Sequence, residues 1–147
     1  MSEPRTAQML VVGLGCQRGC PVSTLRALLD QALQAHQIEL HQISALASID
    51  VKRDEPGLTT LAEQLGLDLR FFSSAQLAGY EAQLSHRSDI AFERTGCYGI
   101  AESAALALAE QLAQAPAELL IRRQKYAQAT LALAGCWVKR QKPDFST

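Results

Sequence analysis

Met9-Leu10-Val11-Val12-Gly13-Leu14-Gly15-Cys16-Gln17-Arg18-Gly19-Cys20-Pro21 reads as a strand running into a glycine-rich loop. The apolar run stops at glycines, a polar loop with two cysteines follows, and a long apolar-periodic segment begins near Ser23. That is a strand, a tight loop and a helix. The loop leads to a helix N-terminus, where free N–H groups and the helix dipole favour an anion. Arg18 adds a fixed positive charge. A glycine-rich turn also serves simply to pack a helix on a sheet, and Gly13-x-Gly15-x3-Gly19 is not the spacing of the dinucleotide fingerprint. On the residues alone the structural turn outweighs the ligand cradle.

Outward from this unit, Leu25, Leu28, Leu29, Ala32 and Leu33 fall on one helical face between Val22 and about His36, with Ser23 as the expected N-cap. Ile43 to Ile49 is apolar enough for a second strand, with room for a short helical turn before it. The dense charged loop 50–57 ends in Pro56-Gly57, and a helix from about Leu58 to Leu65 closes at Gly66. Leu67 to Phe72 is the third strand, and a short helix capped by serine follows. Residues 79–95 lack a strong period and read as a candidate mobile cover. Thr95-Gly96-Cys97-Tyr98-Gly99 is a second glycine-rich turn, leading to a small-residue helix from Ile100 to Ala109. Glu102 in its first turn reads as a dipole-favourable carboxylate on a solvated face. Strands at Glu118–Ile121 and Ala129–Ala134, joined through 122–128, are too close for a parallel crossover and must be antiparallel. The expected fold is α/β, three layers α/β/α, with a mixed sheet and a C-terminal antiparallel hairpin. One domain spans the 147 residues, with an ordered core over about 8–137 and a frayed polar tail over 138–147.

Hydrophobic residues make up 48% and charged residues 20%, the balance of an ordinary globular protein. A net charge of -1 argues against a bulk electrostatic nucleic-acid binder. No apolar run is long enough to span a bilayer, and the N-terminus lacks the core of a signal peptide, so the expected compartment is the cytoplasm. That compartment disfavours disulfides among Cys16, Cys20, Cys97 and Cys136. Cys16-x3-Cys20 suits a metal poorly without a second pair, so no metal is expected; a thiol activated by the helix N-terminus is the other reading. No cofactor motif is present.

Three loops follow the carboxyl ends of expected strands: 15–21, 50–57 and the segment after Phe72. That edge is where open α/β sheets bind ligands. Asp50, Asp54 and Glu55 could do acid–base work or hold magnesium, while the interleaved Lys52 and Arg53 suit internal ion pairing. Arg122, Arg123, Lys125, Lys139, Arg140 and Lys142 make a locally positive segment, fit for a polycarboxylate or phosphate or else a solvated hairpin tip and tail, the preferred reading for 139–142.

Four stretches together carry a resemblance: Val12 to Gly19, Leu46 to Leu58 with its Lys52-Arg53-Asp54-Glu55-Pro56-Gly57 loop, Gly99 to Leu106, and Gln124 to Ala134. In this order they resemble the CobE proteins and the C-terminal domain of CbiG, of cobalamin biosynthesis. The resemblance implies a role in building the corrin ring by the aerobic route. CbiG-type proteins open a lactone on a cobalt-precorrin; this sequence lacks their N-terminal and middle portions, so that hydrolase activity does not carry over. Precorrins bear many carboxylates around a broad apolar ring. The residues expected to bind one are Gly13, Gly15, Cys16, Arg18, Gly19, Lys52, Asp54, Glu55, Gly99 and Lys125. Glu102 and Asp50 are the acid–base candidates if chemistry occurs. The alternatives are a non-catalytic carrier or a subunit partner of another pathway enzyme, and, last, a lactone-opening hydrolase activity like that of full-length CbiG.

Overall fold

The computed structural model describes residues 8–85, 87, 89, 93 and 99–137. Strands β1 (Gln8–Cys16), β2 (Ile43–Ile49), β3 (Asp68–Phe72), β4 (Glu118–Tyr126) and β5 (Ala129–Trp137) form one sheet in the order β3-β2-β1-β5-β4. The β1–β2 and β2–β3 pairs are parallel, and β5 runs antiparallel to both β1 and β4. The sheet is therefore mixed, with β4 and β5 as the antiparallel hairpin.

Alternation along the strands sorts large and small side chains onto opposite faces. Leu10, Val12, Leu14, Leu46, Leu131 and Leu133 face one side, where they pack with α1 (Val22–Ala35) and α2 (Pro56–Leu65). Val11, Ala45, Ala47 and Ala134 face the other, where α3 (Ser74–Ala78) and α4 (Ile100–Ala113) lie. The shallow face lets α4 approach closely. A Cβ on Gly13 would lie 1.9 Å from the Ala101 carbonyl oxygen and 2.7 Å from the Ala105 nitrogen. Every residue of α4 from Ile100 to Ala109 is buried, which explains its run of alanines.

Helix α1 begins at Val22 without a side-chain cap. Ser23 is already helical; the extended Pro21 takes the N-cap position, and its carbonyl accepts from the N–H groups of Thr24 and Leu25. Helix α2 starts two residues earlier than its periodicity suggests, because Pro56 fits the first helical turn, and it closes at Gly66 with φ 69°. Ser73 caps α3 through a reciprocal bond pair with Gln76. A 3₁₀ turn, Leu40–Gln42, precedes β2 as the sequence allows.

The hairpin is longer than its apolar runs. Residues Arg122 to Tyr126 belong to β4, and Tyr126 opposite Ala129 leaves a two-residue turn with Ala127 at φ 53°. Register shifts between Leu119 and Ile121 and between Ile121 and Gln124 mark two bulges in β4. The tail 138–147, the turn residues 95–98 and most of 86–94 lie outside the described residues. No helix among the described residues is long and apolar enough to cross a membrane.

Candidate functional site

Strands β1, β2, β3 and β4 all point their carboxyl ends to one edge of the sheet. Helix α4 runs back against β1, so its first residues reach the same edge; a Cβ on Gly15 would lie 3.6 Å from the Ile100 Cβ. At this edge the loop after β1, the loop after β2, the start of α4 and the β4–β5 hairpin tip meet.

The loop after β1 is fixed on both flanks. The Gln17 N–H donates to the Gln128 carbonyl in the hairpin turn at 2.9 Å. The Gly19 N–H donates to Glu55 Oε2 at 2.8 Å. Gly19 has φ 79°, a left-handed conformation that suits glycine. Arg18 stands exposed between the two fixed points.

The loop after β2 draws its rigidity from its backbone. The Arg53 N–H donates to the Asp50 carbonyl and the Glu55 N–H to the Lys52 carbonyl, each at 3.0 Å. Among the described residues no ion pair joins its charges, contrary to the expectation from the interleaved signs. Arg53 instead lies over the Phe71 ring, 5.4 Å from the ring centre. Asp50 and Lys52 are half-buried, and Asp54 is exposed.

Cys16 and Cys20 lie beneath these loops, both buried. Burial, aided by the negative charge of Glu55 and by Cys20, pushes the Cys16 thiol up to about 12, and Lys52 opposes the shift. Burial and Glu55 also raise Cys20. Both thiols thus shift upward, opposite to the direction of an activated thiol.

Lys125, exposed near the hairpin tip, pairs with Thr130, which in turn pairs with Gly15. The Thr130 hydroxyl would lie 2.6 Å from a Cβ on Gly15, so Thr130 occupies the space that glycine leaves. Thr130 was not singled out in the sequence; only the β1–β5 register reveals it. Val51 and Tyr126, 59% and 45% exposed, bring large apolar surface to the same edge.

Two expected site residues stand apart. Gly13 sits within β1, and the backbone of α4 closes its open side. Glu102 is 1% exposed and not on a solvated face. Its Oε1 accepts from the Ser85 N–H at 2.8 Å, and its Oε2 accepts from the Arg123 N–H at 2.8 Å and from the Ser85 hydroxyl. Arg123 lies in the second bulge of β4, so the carboxylate ties that bulge to α4. Together with the Tyr80 hydroxyl, which donates to Glu110 at 2.8 Å, Glu102 straps residues 80–85 along α4. Residues 80–85 of the expected cover are thus held down. Another buried polar group, the Ser48 hydroxyl, donates to the Leu14 carbonyl at 2.7 Å just past the last β1–β2 pair, bridging the strands as they separate.

The sequence matches the model of the family described as cobalamin synthesis G C-terminus over residues 10–134. It is 35% identical to a protein CobE from Sinorhizobium sp over 126 residues, 86% of this chain and 79% of that one. It is 31% identical over 99 residues to a cobalt-precorrin-5A hydrolase from Priestia megaterium, covering 67% of this chain and 26% of the hydrolase. This chain therefore spans about a quarter of that hydrolase. The crystal structure of a CobE from the cobalamin biosynthetic pathway superposes with a TM-score of 0.86 at 45% identity, over 90% of this chain and 94% of the other.

Proposed function

The chain belongs to the cobalamin synthesis G C-terminus family, and from that premise we propose that it binds a precorrin-type tetrapyrrole at the carboxyl edge of its sheet. The observation that carries this reading is the meeting of three loops there. They bring the cations Arg18, Lys52 and Lys125 and the apolar side chains Val51 and Tyr126 to one rim. A ring bearing many carboxylates around an apolar face calls for that mixture: charge-assisted contacts for its rim, aromatic and aliphatic surface for its plane. Gly15 and the buried Cys16 end β1 beneath this rim, and Gly99 holds the N-cap of α4.

The reading favours holding over turnover. Glu102 already accepts from three donors and is closed to solvent, so it does not suit a proton transfer at the rim. Asp50, half-buried at the end of β2, is then the remaining acid–base candidate. A second reading is service as a partner of another pathway enzyme, favoured by the hydrolase relative in which the matching region is about a quarter of a longer chain. A visible-absorbance titration with precorrin intermediates tests both. A stoichiometric complex with a constant spectrum, weakened about tenfold or more in Arg18→Ala and Lys125→Ala, is the expected result. A spectrum that keeps changing at substoichiometric protein shows an enzyme instead. Absence of binding to every intermediate refutes the ligand site and leaves the partner role.

A further inference from the structure

We propose that Glu55 is a positioning residue: it holds the loop after β1 in its ligand-receiving shape and makes no contact with the ligand itself. The inference rests on the carboxyl-edge reading and deepens it. Glu55 occupies the N-cap of α2, the place from which a side chain ordinarily accepts from its own helix, yet it makes no such bond. Its carboxylate, in a residue only 8% exposed, accepts from the Gly19 N–H across the loop. Its own backbone is fixed at both ends: the N–H donates to Lys52, and the carbonyl accepts from Leu58 and Thr59. The carboxylate is therefore presented from a rigid mount.

A second contact presses the same two segments together. A Cβ on Gly57 would lie 2.5 Å from the Cys20 carbonyl oxygen, so the first turn of α2 abuts the loop directly. On the opposite flank the Gln17 N–H is held by Gln128 of the hairpin. Arg18 is the residue between these holds. Without Glu55, one flank of a loop with a left-handed glycine is released, and Arg18 gains conformations that a ligand must then restrict. Glu55 also contributes negative charge beside Cys16 and Cys20, in keeping with a carboxylate turned inward under the loop rather than out to the rim.

The test compares Glu55→Ala, Glu55→Gln and Arg18→Ala with the unmodified chain. Each is titrated with uroporphyrin, a tetrapyrrole bearing acetate and propionate groups, at several salt concentrations, and the Gly19 amide is followed by ¹⁵N NMR. Glu55→Ala should weaken binding about tenfold, the scale of losing one charge-assisted hydrogen bond. Its salt dependence should stay that of the parent, because every rim cation remains. Glu55→Gln, which keeps an acceptor oxygen, should recover most of the affinity. Arg18→Ala should weaken binding and flatten the salt dependence, with the Gly19 amide resonance unmoved. The Gly19 resonance should shift in Glu55→Ala in the absence of the porphyrin. Unchanged or tighter binding by Glu55→Ala overturns the positioning role while leaving the site standing. Failure of the unmodified chain to bind overturns the carboxyl-edge reading itself, and with it any ligand role for the Glu55–Gly19 hold. An unmoved Gly19 resonance in Glu55→Ala overturns the hold directly.

Discussion

Replacing Gly13 by Ala adds one methyl group at the closest approach of α4 to the sheet. The new Cβ would meet the Ala101 carbonyl oxygen at 1.9 Å, the Ala105 nitrogen at 2.7 Å and the Ala101 carbonyl carbon at 2.9 Å. All three are backbone atoms of a helix buried from Ile100 to Ala109, so no side chain can swing aside. To bring the shortest contact to the 3.4 Å of ordinary packing, α4 must retreat by about 1.5 Å. That retreat loosens the contacts of Ala104, Ala105 and Leu108 with the alanine face of the sheet. Overpacking costs roughly 1–3 kcal/mol, and a rigid backbone neighbour on a central strand puts this site at or above the top of that range. For a domain of this size about 3 kcal/mol lowers the melting temperature by about 6–12 °C. The assay is thermal and urea unfolding followed by circular dichroism. A melting temperature within about 2 °C of the parent would refute the close packing of α4 on β1 and reopen Gly13 as part of a ligand cradle.

Glu102→Ala should destabilise the chain by roughly 1.5–3 kcal/mol in urea unfolding, since it removes a buried carboxylate that accepts from the Ser85 and Arg123 N–H groups; a change under about 0.5 kcal/mol would show that the strap is not held there. Cys16 and Cys20 should react slowly with a thiol reagent near pH 8 in the folded protein and at once in urea, because burial raises both thiols; rapid labelling of the folded form would contradict this. The same shift makes the chain less stable in alkali. The folded Cys16 keeps its proton up to about 12 while the unfolded thiol releases it from about 9, so its contribution is full below about pH 9 and lost as the pH rises toward 12. Urea midpoints that stay level from pH 8 to 11 would refute that linkage.

Much of the fold was legible in local pattern. The helical period of Leu25, Leu28, Leu29, Ala32 and Leu33, the left-handed Gly66 and the Ser73–Gln76 cap each depend on neighbours a few residues away, and each stands where the pattern put it. The misreadings arose where distant contacts override such signals. The hairpin turn at Ala127-Gln128 has no Asn-Gly or Gly-x pair, so nothing local marks the end of β4, and its Arg-rich half, kept wet by the edge position, reads as a connection. Ser23 offered a capping side chain, but Pro21 fixed the start of α1 first. Glu102 looked solvated because an acid in a first helical turn normally is; Ser85 and the bulged strand, 17 and 21 residues away, supply the donors that let it be buried.

Hydrophobic period, turn chemistry and motif spacing are properties of short stretches, and they sufficed for the kinds of elements and for the resemblance to the family. Tertiary packing alone chose which residues share an edge. Strand register placed Thr130 beside Gly15 and carried Lys125 to the rim, and the packing of α2 against the first loop joined Glu55 to Gly19. It also withdrew Gly13 and Glu102 from that rim, since the close approach of α4 leaves the one no open side and the other no solvent. Such pairings depend on separations of tens of residues, which only the assembled sheet and its two helical layers bring within bonding distance.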